Sequence, residues 1–145
     1  MNQNYTSIYK YILCASLLFS SYAHANNPGE ISKDLRSAYE KHIIALDKED
    51  NNAVIQSLHS QSPALFQVTQ MMQQMFPVFD MKSEIIEFKY LGLDNEYALA
   101  RVKQKLVKVN GPMFQDHISN TLFVFKKESG EWKLWQAAAL DIQYL

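Results

Sequence analysis

The chain has 145 residues, a formal net charge of −1 and a single cysteine, Cys14. A balance this close to neutral argues against a nucleic-acid or anionic-membrane surface. One cysteine allows no internal disulfide, and four glycines standing alone at 29, 92, 111 and 130 leave no phosphate-cradling loop.

Residues 1–25 read as a secretory signal peptide. Lys10 leads into an apolar run over 11–21 that is too short to span a bilayer, and Ala23-His24-Ala25 places small residues where a signal peptidase needs them. Cleavage after Ala25 predicts a periplasmic or secreted protein with no membrane span. It removes Cys14 and, with Lys10, shifts the net charge from −1 to −2. Residues 26–145 are then one domain of ordinary size, large enough to bury a core without a staple.

After a loop at Asn27-Pro28-Gly29, the residues Ile31, Leu35, Ala38, Tyr39, His42, Ile43 and Leu46 recur at three- and four-residue steps. That spacing is one face of an amphipathic helix. The polar run 47–52 breaks it and offers an Asp or Asn cap to a short second helix buried through Val54, Ile55 and Leu58. Ser62-Pro63 predicts a capped third helix that continues through Leu65, Val68, Met72, Met75 and Phe76 to Pro77.

From Lys82 the period falls to two. Ile86, Phe88 and Tyr90 alternate with charges, and Ala98, Ala100, Val102, Gln104 and Leu106 follow after a turn at Asp94-Asn95. Two longer runs, 114–127 and 131–144, flank a turn at Glu128-Ser129-Gly130 and predict a C-terminal hairpin. Helices first and strands after give an α+β fold, with N-terminal helices packed on the concave face of a curved four-stranded antiparallel sheet.

The run 38–55, AYEKHIIALDKEDNNAVI, resembles the opening of nuclear-transport-factor-2-like domains, and Gly130-Glu131-Trp132-Lys133-Leu134 resembles the start of their last strand. The likeness covers about residues 31–143. It implies a cone-shaped pocket between the first helices and the sheet. Such domains include ketosteroid isomerases, polyketide cyclases, dehydratases and non-catalytic binding or assembly modules. The helix expected over 65–76 stands where a first strand usually follows.

Strand alternation places Gln104, Asn120 and Gln136 on otherwise apolar faces, beneath Tyr39 and His42 and beside Trp132. These six are the candidate ligand-binding residues for a small apolar or amphipathic molecule. The alternative is that the amides satisfy one another. In the ketosteroid-isomerase resemblance, Tyr39 or His42 falls near the oxyanion-stabilising tyrosine. The base carboxylate is missing, however, since Leu65-Phe66-Gln67 stand at its place, and Asn120 or Thr121 replaces the second acid. No catalytic residue is therefore assigned. Asp116 and His117, adjacent on a strand, point to opposite faces. His42, His59 and His117 lie on separate elements without ligand spacing, so no metal or cofactor is expected.

Met71, Met72 and Met75 share helical spacing, which suits soft metal binding but suits an adaptable core or partner surface better. Phe123, Phe125 and Trp135 are assigned to an apolar outer sheet face, which predicts a homodimer paired across it. A protein-interaction component of an envelope system, using residues 71–79 and that outer face, is the alternative. A dehydratase or cyclase using His42 or His117 is a third reading.

Overall fold

The computed structural model describes residues 27–145, so the signal peptide expected over 1–25 lies outside the described residues. Three helices precede four strands: α1 (Pro28–Asp47), α2 (Asn51–Ser57), α3 (Leu65–Met75), β1 (Asp80–Asp94), β2 (Tyr97–Asn110), β3 (His117–Glu128) and β4 (Glu131–Tyr144). The strands form an antiparallel meander in the order β1-β2-β3-β4. Among the described residues no helix is long and apolar enough to cross a membrane.

Local chemistry sets the boundaries. Asn27 does not merely open a loop; its side chain accepts from the Gly29 amide at 3.0 Å, and Pro28 starts α1 where no amide partner is needed. Asp50 caps α2 by accepting from the Ala53 amide at 3.0 Å. The third helix starts differently from expectation. Ala64 occupies its cap position without a side-chain bond, while the Ser62 hydroxyl accepts from the Ala64 amide at 3.1 Å and donates to the Trp135 carbonyl at 2.6 Å, tying the helix entry to β4. Ser129 and Gly130, at φ 52° and 86°, form the two-residue turn of the β3–β4 hairpin.

Five register shifts bend the sheet, one of them at the start of β1 between Asp80 and Met81. Register slips between Ile85 and Glu87 and between Tyr90 and Gly92 on β1. It slips again on either side of the 121–124 stretch of β3, where β4 inserts Trp135 and Leu140. Each bulge adds local twist and reverses which face later side chains occupy. The resulting curved sheet cups α1. Leu35, Tyr39 and Ile43 descend onto Ala98, Ala100, Val102, Phe125 and Leu134, all buried in one cluster. Val54 and Met72 join Ala45 in a smaller cluster that seats α2 and α3 against α1. This is the α+β arrangement the sequence predicts.

Bulges on β1 and β4 and the parity of β3 correct several face assignments. Ile85 rather than Ile86 joins the core, and Ile86 is exposed. Phe125 pairs with Ala98 and is fully buried, and the Phe123 ring lies 4.7 Å from that of Tyr39. Both phenylalanines therefore face the helices, not the outer surface assigned to them above. The outer face of β3 instead carries Ile118, Asn120, Leu122 and Val124. Trp135 does face outward, held between His59, Tyr97 and the Lys126 ammonium.

Candidate functional site

The centre of the cup is filled. Tyr39 occupies it, with the Phe123 ring at 4.7 Å and the Phe88 ring at 6.2 Å. Its hydroxyl donates to Gln104 Oε1. Burial holds the phenol above its ordinary pKa, so it is a neutral donor at any physiological pH. Gln104 Nε2 donates in turn to Ser83 Oγ at 3.3 Å, and the Ser83 amide donates to Asp47 Oδ1 at 3.0 Å. This chain leads from the core to the end of α1.

At that end the cup opens into a recess of about 240 Å³. The last turn of α1 supplies Leu46, Asp47 and, just beyond, Glu49. The α3 wall supplies Met71, Met75 and Phe76, and the sheet supplies Met81, Ser83, Gln104 and Leu106. Phe79, stacked on Phe114 at 5.9 Å, closes one side. Gly111 lets that side close, because at φ 115° a Cβ would stand 2.5 Å from the Val78 carbonyl oxygen. The surface is thus mostly apolar with a few convergent polar groups, the ordinary character of a small-molecule site. Asp47 is partly desolvated there, and its carboxyl pKa is raised despite the bonds from Ser83 and the nearby Lys82 charge.

His42 sits one turn from Tyr39, only 8% exposed. Ser57 has a single hydroxyl proton, which goes to the Val54 carbonyl at 2.6 Å, so Ser57 Oγ accepts from His42 Nδ1–H at 2.7 Å. Burial pushes the imidazole pKa down to about 4. A neutral histidine tied to a hydroxyl with no carboxylate partner makes a poor general base. Asp116 is likewise committed, accepting from the Lys108 amide at 2.9 Å, while His117 stacks between Phe114 and Tyr144.

Of the six candidate ligand residues, Tyr39 and Gln104 meet in one hydrogen bond, and Gln104 reaches the recess. His42 lies beside Tyr39, their rings 6.4 Å apart, and its polar contact is Ser57. Trp132 lines a separate groove of about 250 Å³ with Asp34, Ser37, Ala38 and Lys41, beside the middle of α1. Asn120 and Gln136 fall on the outer face, Asn120 opposite Lys103 and Asp141, and Gln136 opposite Val124. Their assignment to the concave face is corrected: the Trp135 bulge turns Gln136 outward, and β3 has the opposite parity to that expected. The sequence reading missed Asp47, Ser83, Phe79 and Met81. Their signal was weak, since Asp47 read as a helix breaker and Met81 preceded the visible alternation. Among the described residues no His, Cys, Asp and Glu group could hold a metal.

Comparison with known proteins agrees with this geometry. A family model described as "Anti-sigma-I factor RsgI9, C-terminal domain" matches residues 37–145. Among solved structures, a nuclear-transport-factor-2-like superfamily protein from Salmonella enterica serovar Typhimurium is 14% identical with a TM-score of 0.65, covering 78% of this chain and 92% of its own. A cystatin-like protein of unknown function from Nostoc punctiforme is 13% identical with a TM-score of 0.60, over 74% and 87% of the two chains. A ketosteroid isomerase-like protein from Erwinia carotovora is 18% identical with a TM-score of 0.57, over 77% and 98%. The nuclear-transport-factor-2-like fold is therefore shared. No curated protein matches the sequence.

Proposed function

Since the chain belongs to the family of the anti-sigma-I factor RsgI9 C-terminal domain, we propose that it is an exported, non-catalytic domain that binds a small apolar or amphipathic ligand. The observation that carries this reading is the recess between α1, α3 and the β1–β2 sheet. Met71, Met75, Phe79 and Leu106 give it apolar walls, and the Gln104–Ser83–Asp47 chain gives it a polar floor. At about 240 Å³ it is smaller than drug-sized pockets, which run from about 300 Å³ upward. The ligand, or the part that enters, is the size of one ring or a short alkyl chain. Export rests on the leader read from residues 1–25.

Native mass spectrometry of the full chain isolated from its own cells tests this. A retained small molecule is expected, and Met75→Trp, which fills the recess, should remove it. No adduct on the wild-type chain, or one undiminished in Met75→Trp, would sink the reading.

A second reading, a protein-interaction component of an envelope system, draws on a different observation. The outer face of β3 carries Ile118, Leu122 and Val124, all half-buried, with Trp135 of β4 on the same side. In its simplest form two copies pair across the outer sheet faces through Leu122, Val124 and Trp135. Light scattering should then give twice the monomer mass, and Leu122→Lys should halve it. A wild-type monomer at micromolar concentration removes the dimer.

A further inference from the structure

We propose that the recess selects organic cations, taking an amine or quaternary-ammonium head at Asp47 and Glu49 with the attached alkyl group or ring among the methionines and phenylalanines. This rests on the ligand reading above and names the class of ligand. The charge around the recess is one-sided. Asp47 and Glu49 belong to its lining, and no Lys or Arg does. Lys82, whose charge acts on Asp47, lies across from Val107 and lines a different groove beside Glu84 and Lys105. A fatty-acid carboxylate or a phosphate head would therefore meet two carboxylates and no Lys or Arg in the lining.

The apolar walls point the same way. Phe76 and Phe79 both line the space, and aromatic faces attract ammonium groups through the ring quadrupole. Thioethers of Met71, Met75 and Met81 are polarisable and adapt to an irregular alkyl group. The polar floor has spare capacity of the right kind. The Gln104 side-chain oxygen already accepts from Tyr39 and one of its two N–H groups donates to Ser83, so what remains for a ligand is one Gln104 N–H and the acceptor oxygens of the two carboxylates. Asp47 also carries a desolvation penalty that a cation would offset. A neutral alcohol could enter the same walls but would leave that penalty in place.

Three probes sharing one six-carbon chain separate the possibilities: hexyltrimethylammonium, hexanol and hexanoate. Each is titrated into the full chain with ¹³C-labelled methionine methyl groups. Met71, Met75 and Met81 report the recess, and Met113, 97% exposed and outside the recess lining, is the control. The ammonium probe should move the three recess methyls and leave Met113 still, binding about tenfold tighter than hexanoate, with hexanol between them. Glu49→Gln, at the rim, should narrow that ratio, and adding Asp47→Asn should bring the three probes close to parity. Equal affinity of all three probes for the wild-type chain overturns the cation preference and leaves the recess as a site. Failure of every probe to move the three methyls overturns the recess reading as well.

Discussion

Replacing Phe125 by alanine should cost about 3–5 kcal/mol of folding stability, the usual range for deleting a fully buried aromatic ring. Phe125 has no exposed surface, and its strand neighbours Ala98 and Leu134 are themselves 0% and 4% exposed. Ala98 is too small to swell into the void, and both neighbours are pinned by the ladder. The cavity should therefore persist rather than collapse. A domain of this size holds about 5–15 kcal/mol in total, so the variant should unfold at a much lower urea midpoint with little change in slope. Leu122→Ala, one strand position from Phe123 but on the outer face, is the contrast and should cost under about 1 kcal/mol in the monomer. Equal costs for the two variants, or a small one for Phe125→Ala, would show that the inward and outward faces of β3 are reversed.

That experiment goes to the place where the sequence was hardest to read. Strand alternation says which residues share a face but not which face is inside. On most elements one face is polar and the choice makes itself. β2 is the clean case: Arg101, Lys103 and Lys105 must face water, so Ala98, Ala100, Val102 and Gln104 face the helices, as the sequence reading had it. On β3 both faces are apolar, Ile118–Leu122–Val124 against Thr121–Phe123–Phe125, and alternation is silent between them. Ring size would have been the better guide, because the cup needs bulk to meet Tyr39.

The second difficulty is the bulges. Trp135 and Leu140 each add a residue to β4, so a reading with strict period two follows the strand correctly to Leu134 and then loses the face. Gln136 was misplaced for that reason alone. Helix periodicity had no such interruption, which is why Tyr39 and His42 fell where expected; Gln104 was placed correctly because the charged face of β2 marks its other side. That its partner is the Tyr39 hydroxyl could not be read from one dimension. The recess depends on Leu46, Met75, Met81 and Leu106 meeting across three elements, and no local pattern marks such a meeting.

Lowering the pH from about 6.5 to about 4 should remove about 3 kcal/mol of stability through His42 alone. The folded state holds this imidazole at a pKa of about 4, against an ordinary value of 6.5, because burial disfavours the charged ring. In that window the unfolded chain binds the proton and the folded chain does not. Stability from this group is therefore complete above pH 6.5, declines as the pH falls, and stops changing below 4. Carboxylates also change charge as the pH falls, so the comparison must be with His42→Asn, whose side-chain amide can still donate to Ser57 but does not titrate. The wild-type unfolding free energy should drop by about 3 kcal/mol more than that of His42→Asn between the two pH values. While the ring is neutral, the imidazole resonances should report the Nδ1–H tautomer, because Ser57 has given its own proton to Val54. Parallel pH profiles for the two proteins, or a His42 titration near 6.5, would mean that the ring is hydrated and free. It would then again be available as a base, and the enzyme reading set aside on its account would return.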